Sequence, residues 1–124
     1  MMEELARRAV ACDRWRWMPG MLGLSPKAGR WRVEQADLTA LFGAGAGPAS
    51  IHEVGVWLPD LDDPATLGCL LALVREAWED RCLHVGLLPA RWGVWTSQNM
   101  PLHESVGKGL TEAEALVAAL EAAP

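Results

Sequence analysis

Arginine and tryptophan alternate at three places in the chain, and together these two side chains could bind a nucleic acid. The alternation occurs in Arg14-Trp15-Arg16-Trp17, Arg30-Trp31-Arg32 and Arg91-Trp92. Arginine neutralises phosphate groups and tryptophan stacks on bases, so a sheet that exposes both suits a single strand of nucleic acid. The candidate contact residues for this function are Arg14, Trp15, Arg16, Trp17, Arg30 and Arg32.

The same alternation also has a purely structural explanation, because a half-buried strand sends every second side chain inward. On this explanation, Trp31 and Val33 face the core and the arginines face solvent. Residues 1–32 carry seven Lys/Arg and three Asp/Glu, and residues 33–124 carry four and thirteen, so charges of +4 and −9 give the net −5. Because an acidic chain repels a polyanion, the structural explanation is favoured over nucleic-acid binding.

No pattern of histidine, serine or cysteine indicates a catalytic or metal site. The three histidines stand outside every metal-binding or nucleophile-activating motif, and they are His52, His84 and His103. The three cysteines form no C-x-x-C pair, and they are Cys12, Cys69 and Cys82. Such spacing favours neither a zinc site nor a disulfide framework and fits a reducing compartment. We therefore predict no catalytic residue, metal or cofactor, and an enzyme is the least favoured class.

Two further clusters are explained by local structure. The glycines of residues 43–47 lack the Lys-Ser/Thr of a phosphate-binding loop, which predicts a flexible loop. Asp60, Asp62 and Asp63 lack the glycine and the acid that a calcium loop needs at its sixth and twelfth positions. These carboxylates instead precede Pro64 at the start of an apolar helical stripe, where they suit a helix N-terminus.

Hydrophobic periodicity predicts an α+β fold in a single domain that spans residues 1–124. Helices are predicted over residues 2–12, 63–79 and 111–123, and strands over residues 30–34, 53–58, 82–88 and 91–96. Residues 37–42 are either a further strand or a helical turn, and residues 97–109 form a loop. Thr111 and Glu114 match a capping box, with Leu110 able to pack on Ala115. We expect one small antiparallel sheet of about four to five strands, with the helices mainly on one face.

Three stretches resemble small uncharacterised proteins encoded by bacteriophages and prophages. They are WRWMPGM within residues 5–21, DPATLGCLLALVREAW at residues 63–78 and TEAEALVAALEAAP at residues 111–124. Together with the absence of a catalytic motif, this resemblance favours a non-enzymatic accessory protein in the cytoplasm of a bacterial host, acting by protein–protein contact. Its acidic part suits a host or phage protein with a basic surface. No membrane partner is expected because no apolar run is long enough, and homo-oligomerisation stays open.

The C-terminal region also has a local likeness. Residues 92–96, followed by a polar loop and residues 109–116, are similar to the strand and helix that end HicB-like antitoxins. They are similar as well to the last strand and helix of double-stranded RNA-binding domains. Glu112 and Glu114 stand where that second family places phosphate-binding lysines, which argues against RNA binding by this helix.

Overall fold

The computed structural model describes residues 2–25, 29–33, 57–97 and 105–124. These residues form three helices and six strands, which confirms the α+β class. In chain order the elements are α1 (Met2–Ala11), β1 (Leu22–Ser25), β2 (Gly29–Arg32), β3 (Leu58–Pro59), α2 (Pro64–Ala77), β4 (His84–Leu87), β5 (Trp92–Trp95), β6 (Gly107–Gly109) and α3 (Glu112–Ala122). The predictions for residues 37–42, the glycine loop 43–47, His52 and His103 lie outside the described residues, as does most of the strand predicted at 53–58.

The described strands form two antiparallel sheets of three strands each. The first sheet has the order β2-β1-β3 and the second has the order β4-β5-β6. The single sheet of four to five strands, with helices mainly on one face, is therefore not confirmed. Strands of only two to four residues form these sheets, and β1 and β6 are short, glycine-containing segments without a clear hydrophobic alternation.

The central helix, α2, begins as predicted. Asp63 has extended backbone angles, and its carboxylate accepts a hydrogen bond from the amide of Thr66 at 2.9 Å. Pro64 occupies the first turn, where a missing N–H costs nothing. The buried face then follows at helical spacing and comprises Thr66, Leu70, Leu73, Val74 and Ala77.

The last helix, α3, starts with a variant of the predicted capping box. The hydroxyl of Thr111 accepts a hydrogen bond from the amide of Glu114 at 3.1 Å. The carboxylate of Glu114 accepts in return from the amide of Leu110 at 2.7 Å, one residue before the helix cap. The side chain of Leu110 is 79% exposed, so the predicted packing of Leu110 on Ala115 is wrong.

The β6 strand lies directly against α3, which is why its glycines matter. A methyl group added at Gly107 would stand 2.4 Å from the carbonyl oxygen of Ala115, and one added at Gly109 would stand 2.4 Å from Cβ of Glu114. Residues 107–109 were predicted as part of a loop, and that prediction is wrong. Two glycines at alternate positions before a helix cap are the signal that could have shown the strand.

The hydrophobic core surrounds α3, which also contacts α1, α2 and the second sheet. Because α3 is contacted from several sides, its buried residues are not confined to one stripe. The buried residues of α3 are Ala113, Ala115, Leu116, Val117, Ala119 and Leu120. The indole of Trp78 donates a hydrogen bond to the carbonyl oxygen of Ala119 at 2.8 Å, which joins the end of α2 to α3. Within the described ranges, no helix has the length and apolar character needed to cross a membrane.

Candidate interaction surface of the arginine and tryptophan segments

Four of the tryptophans form a row along the first sheet. The rings of Trp15 and Trp17 meet edge to face at 5.6 Å, and those of Trp31 and Trp57 do so at 5.9 Å. Gly23 joins the two pairs, because a methyl group at this position would lie 3.4 Å from the Trp17 ring and 3.3 Å from the Trp57 ring. The absence of a side chain at Gly23 therefore lets the two indoles pack on the backbone of β1.

The position of Trp31 differs from the prediction. All four residues of β2 are exposed, and the side chain of Trp31 is 37% exposed, whereas Val33 beyond the strand is buried. The expectation that Trp31 faces the core is therefore wrong. Trp31 lies beside Trp57 on β2, which is an outer strand among the described strands of the first sheet, so its ring packs against another indole instead of entering the core. Trp15 and Trp17 are half-buried, and much of their ring surface is covered.

Arg32 is fixed by the most extensive ion pair of the surface. Its Nη1 donates to Oδ2 of Asp63 at 2.6 Å and to the carbonyl oxygen of Gly20 at 2.9 Å, and its Nη2 donates to Oδ1 of Asp63 at 3.1 Å. The hydrogen bond from Arg32 is the main reason that the pKa of Asp63 is lowered to about 2. A guanidinium held in this way is not available to a phosphate group unless Asp63 releases it.

The remaining candidate arginines are held less firmly. Arg16 pairs with Glu76 at 2.7 Å, and this pair raises the pKa of Arg16. Arg14 donates to the main-chain oxygen of Pro124 at 2.5 Å. Arg30 lies 3.9 Å from a carboxylate oxygen of Asp60, beyond hydrogen-bond distance, and its side chain is 70% exposed. Arg30 is therefore the candidate whose charge is most accessible.

The ion pairs explain what becomes of the uneven charge of the sequence. Each ion pair formed among the described ranges uses an arginine from residues 7–32, and four of the five join it to an acid from residues 60–121. The basic N-terminal part of the chain is thus neutralised by the acidic remainder. Because exposed pairs of this kind are weak, they position the surface more than they stabilise it.

An apolar groove lies between α1, the β1–β2 hairpin and β3, and we call it the α1–β3 groove. Its volume is about 460 Å³. The apolar lining consists of Met2, Ala6, Leu24, Leu58, Pro59 and Leu61, and the charged lining consists of Glu3, Arg7, Arg30, Asp60 and Asp62. This groove was not predicted from the sequence. The residue that could have indicated it is Leu24, which is 36% exposed on a strand that was not predicted.

Within residues 2–25, 29–33, 57–97 and 105–124, no group of three His, Cys, Asp or Glu side chains could hold a metal ion. His84 stacks on Trp95, with ring centroids 5.7 Å apart. Burial raises the pKa of the thiols of Cys12 and Cys69, which disfavours the reactive thiolate form.

Comparison with known proteins adds no relative to this description: no protein-family model, curated protein or solved structure matches the chain. The resemblances to phage-encoded proteins and to HicB-like antitoxins therefore stay predictions.

Proposed function

We propose that this chain is a small non-enzymatic accessory protein of a phage or prophage, which acts by binding another protein with a basic surface. The groove's apolar floor, bordered by carboxylates, is the observation that carries this proposal. An apolar side chain of the partner would fill the floor, and neighbouring lysines or arginines would meet the acidic rim.

The charges of the rim support a basic partner more than an acidic one. The groove is lined by three carboxylates and two arginines. Glu3 and Arg7 pair with each other, and Arg30 stands 3.9 Å from Asp60. Asp62 is exposed and makes no ion pair with any other described residue, so its charge is available to a partner. Its main-chain amide donates to Asp60, which fixes the direction of this short acidic turn.

Cross-linked affinity capture followed by measurement of the binding constant tests this proposal. The groove variant combines Leu24→Lys with Asp62→Lys, and the matched control combines Leu110→Lys with Glu79→Lys, both exposed and outside the groove lining. We expect the groove variant to bind the captured partner at least about tenfold more weakly, and the control variant to bind it normally. Equal loss in both variants, or no retained partner from a folded protein, would contradict the proposal.

Nucleic-acid binding is the second candidate function, and Arg30 beside Trp31 is the observation that favours it. Both side chains are exposed, and Arg30 has the longest ion pair of the surface. An oligonucleotide bound here would quench tryptophan fluorescence, the quenching would weaken with added salt, and Arg30→Glu would abolish it. Unchanged fluorescence at low ionic strength would exclude this candidate.

A further inference from the structure

Four of the described strands have an edge along which no described strand lies, namely β2, β3, β4 and β6. Proteins protect such edges with charges or proline, which hinder pairing with another chain. Pro59 removes an amide from β3, Arg30 and Arg32 flank the middle of β2, and Lys108 occupies the centre of β6. Residues 83–88, which include β4, read Leu-His-Val-Gly-Leu-Leu and contain none of these protecting residues.

The backbone of β4 presents hydrogen-bonding groups at the edge that faces away from β5, where Nε of Arg75 already donates to the carbonyl oxygen of Leu83 at 2.7 Å. Leu88 and Arg91 exchange two hydrogen bonds, with N···O distances of 2.7 and 3.3 Å, at the start of the β4–β5 hairpin. Hydrogen-bonded pairs alternate along an antiparallel ladder, so Gly86 and His84 also direct their N–H and C=O groups toward β5. Val85 and Leu87 consequently direct theirs toward the open edge.

The side chains of the same two residues are apolar and share one face of the second sheet. Val85 is half-buried and packs against the core, whereas Leu87 is 67% exposed. Gly86, between them, has no side chain to hold an approaching strand away. Among the described residues, nothing hydrogen-bonds to the outward-pointing main-chain groups of Val85 and Leu87, so this edge combines two donor and acceptor pairs with an exposed leucine.

We infer that two copies of the chain associate by antiparallel pairing of their β4 strands around a two-fold axis at Gly86. In this register Val85 of one copy exchanges two hydrogen bonds with Leu87 of the other, and symmetry repeats the exchange. Leu87 of each copy then lies beside Val85 of the other and is covered. The glycines face each other at the axis, where antiparallel strands come closest.

A second copy fits this edge because the edge is complementary to itself. Val85 and Leu87, whose main-chain groups point outward, lie one residue before and one residue after Gly86. A two-fold axis at Gly86 therefore pairs the donors and acceptors of both residues in a single register. No ionic side chain of residues 83–88 opposes its own copy, although the chain carries a net charge of −5. The interface is independent of the α1–β3 groove, so the inference goes beyond the proposed function.

Sedimentation velocity over a concentration series tests the inference. Four residues per copy form a small interface, so we expect association in the micromolar range, with the mass rising from 13.5 kDa toward twice that value. Leu87→Lys places a protecting charge at the edge and should weaken association at least about tenfold. Leu110→Lys, a matched change at another exposed leucine, should leave it unchanged.

The register has its own test in a mixed sample of isotope-labelled and unlabelled protein. Intermolecular nuclear Overhauser effects should join the methyl groups of Leu87 in one copy to those of Val85 in the other. Three results would each overturn the inference: a monomer at every concentration, association that Leu87→Lys leaves unchanged, or intermolecular contacts confined to other residues. A partner that still binds through the α1–β3 groove would leave the proposed function standing in any of these cases.

Discussion

Arg32 donates hydrogen bonds to both carboxylate oxygens of Asp63, with Nη1 2.6 Å from Oδ2 and Nη2 3.1 Å from Oδ1. The same carboxylate caps α2 by accepting from the amide of Thr66. The side chain of Asp63 therefore connects the end of β2 to the beginning of α2. This connection sets the position of the first sheet, and with it one wall of the α1–β3 groove.

The pKa of Asp63 predicts a loss of stability in acid. Because the pKa is about 2 in the fold and 3.8 ordinarily, the carboxylate stabilises the fold above about pH 4, and this contribution disappears as the pH falls toward 2. Asp63→Asn should lower the free energy of unfolding at pH 7 by about 1 kcal/mol, since the pair lies near solvent and asparagine still caps the helix. At about pH 2 the variant and the wild type should be nearly equal in urea denaturation.

Glu76→Gln provides the matched control for this pH dependence. Glu76 pairs with Arg16, but both side chains are about half exposed, at 58% and 49%. Its removal should change the free energy of unfolding by less than about 0.5 kcal/mol. A loss at pH 7 as large as that of Asp63→Asn would show that the two ion pairs are equivalent, contrary to the structure.

Thr66 should be sensitive to loss of its hydroxyl group. The side chain is fully buried, and its Oγ1 accepts from the amide of Leu22 at 2.9 Å while donating to Asp63 at 2.9 Å. Thr66→Val leaves the Leu22 amide without an acceptor and should cost about 1–3 kcal/mol. Thr66→Ser, which keeps the hydroxyl, should retain slow hydrogen exchange at the Leu22 amide, whereas Thr66→Val should not.

Gly107 should not tolerate a side chain. An alanine methyl group would lie 2.4 Å from a carbonyl oxygen of α3 and 2.6 Å from the amide nitrogen of Ala119, so the helix would have to move away from the sheet. Gly107→Ala should therefore cost about 3 kcal/mol in chemical denaturation. Lys108→Ala, at the exposed neighbouring position, should cost little. Comparable losses at the two positions would contradict the close contact of β6 with α3.

The cysteines should react with alkylating reagents in a definite order. Cys82 is exposed, whereas Cys12 and Cys69 are partly buried and have thiol pKa values raised by that burial. Mass-spectrometric mapping after brief iodoacetamide treatment should therefore find Cys82 modified first. Denaturation should remove the difference. Earlier modification of Cys69 in the folded protein would show that its surroundings are more open than described.

The elements that could be predicted from the sequence are those that carry their own local signals. Asp63 and Pro64 begin α2, Thr111 and Glu114 begin α3, and the alternating residues on either side of Pro89 form the β4–β5 hairpin. Caps and hairpins depend on residues within a few positions of each other. Their chemistry is therefore visible in a short window of sequence.

The features that could not be predicted depend on contacts between distant residues. Nothing near Arg32 shows that Asp63 will hold it, and nothing near Leu24 shows that Leu58 will lie beside it in the sheet. The alternation around Trp31 predicts a buried indole, but β2 is an outer strand among the described strands and the indole is 37% exposed. For the same reason, the uneven distribution of charge along the chain does not show that the fold will neutralise the basic N-terminal part.

The two sheets also differ in the number of residues that separate their paired strands along the chain. The second sheet begins with a hairpin of two intervening residues and continues into α3 along the same stretch, whereas β1 must pair with β3 from residue 24 to residue 58. Local contacts form sooner because they lose less loop-closure entropy. The C-terminal sheet and helix should thus fold first and provide the surface on which the tryptophan row assembles last.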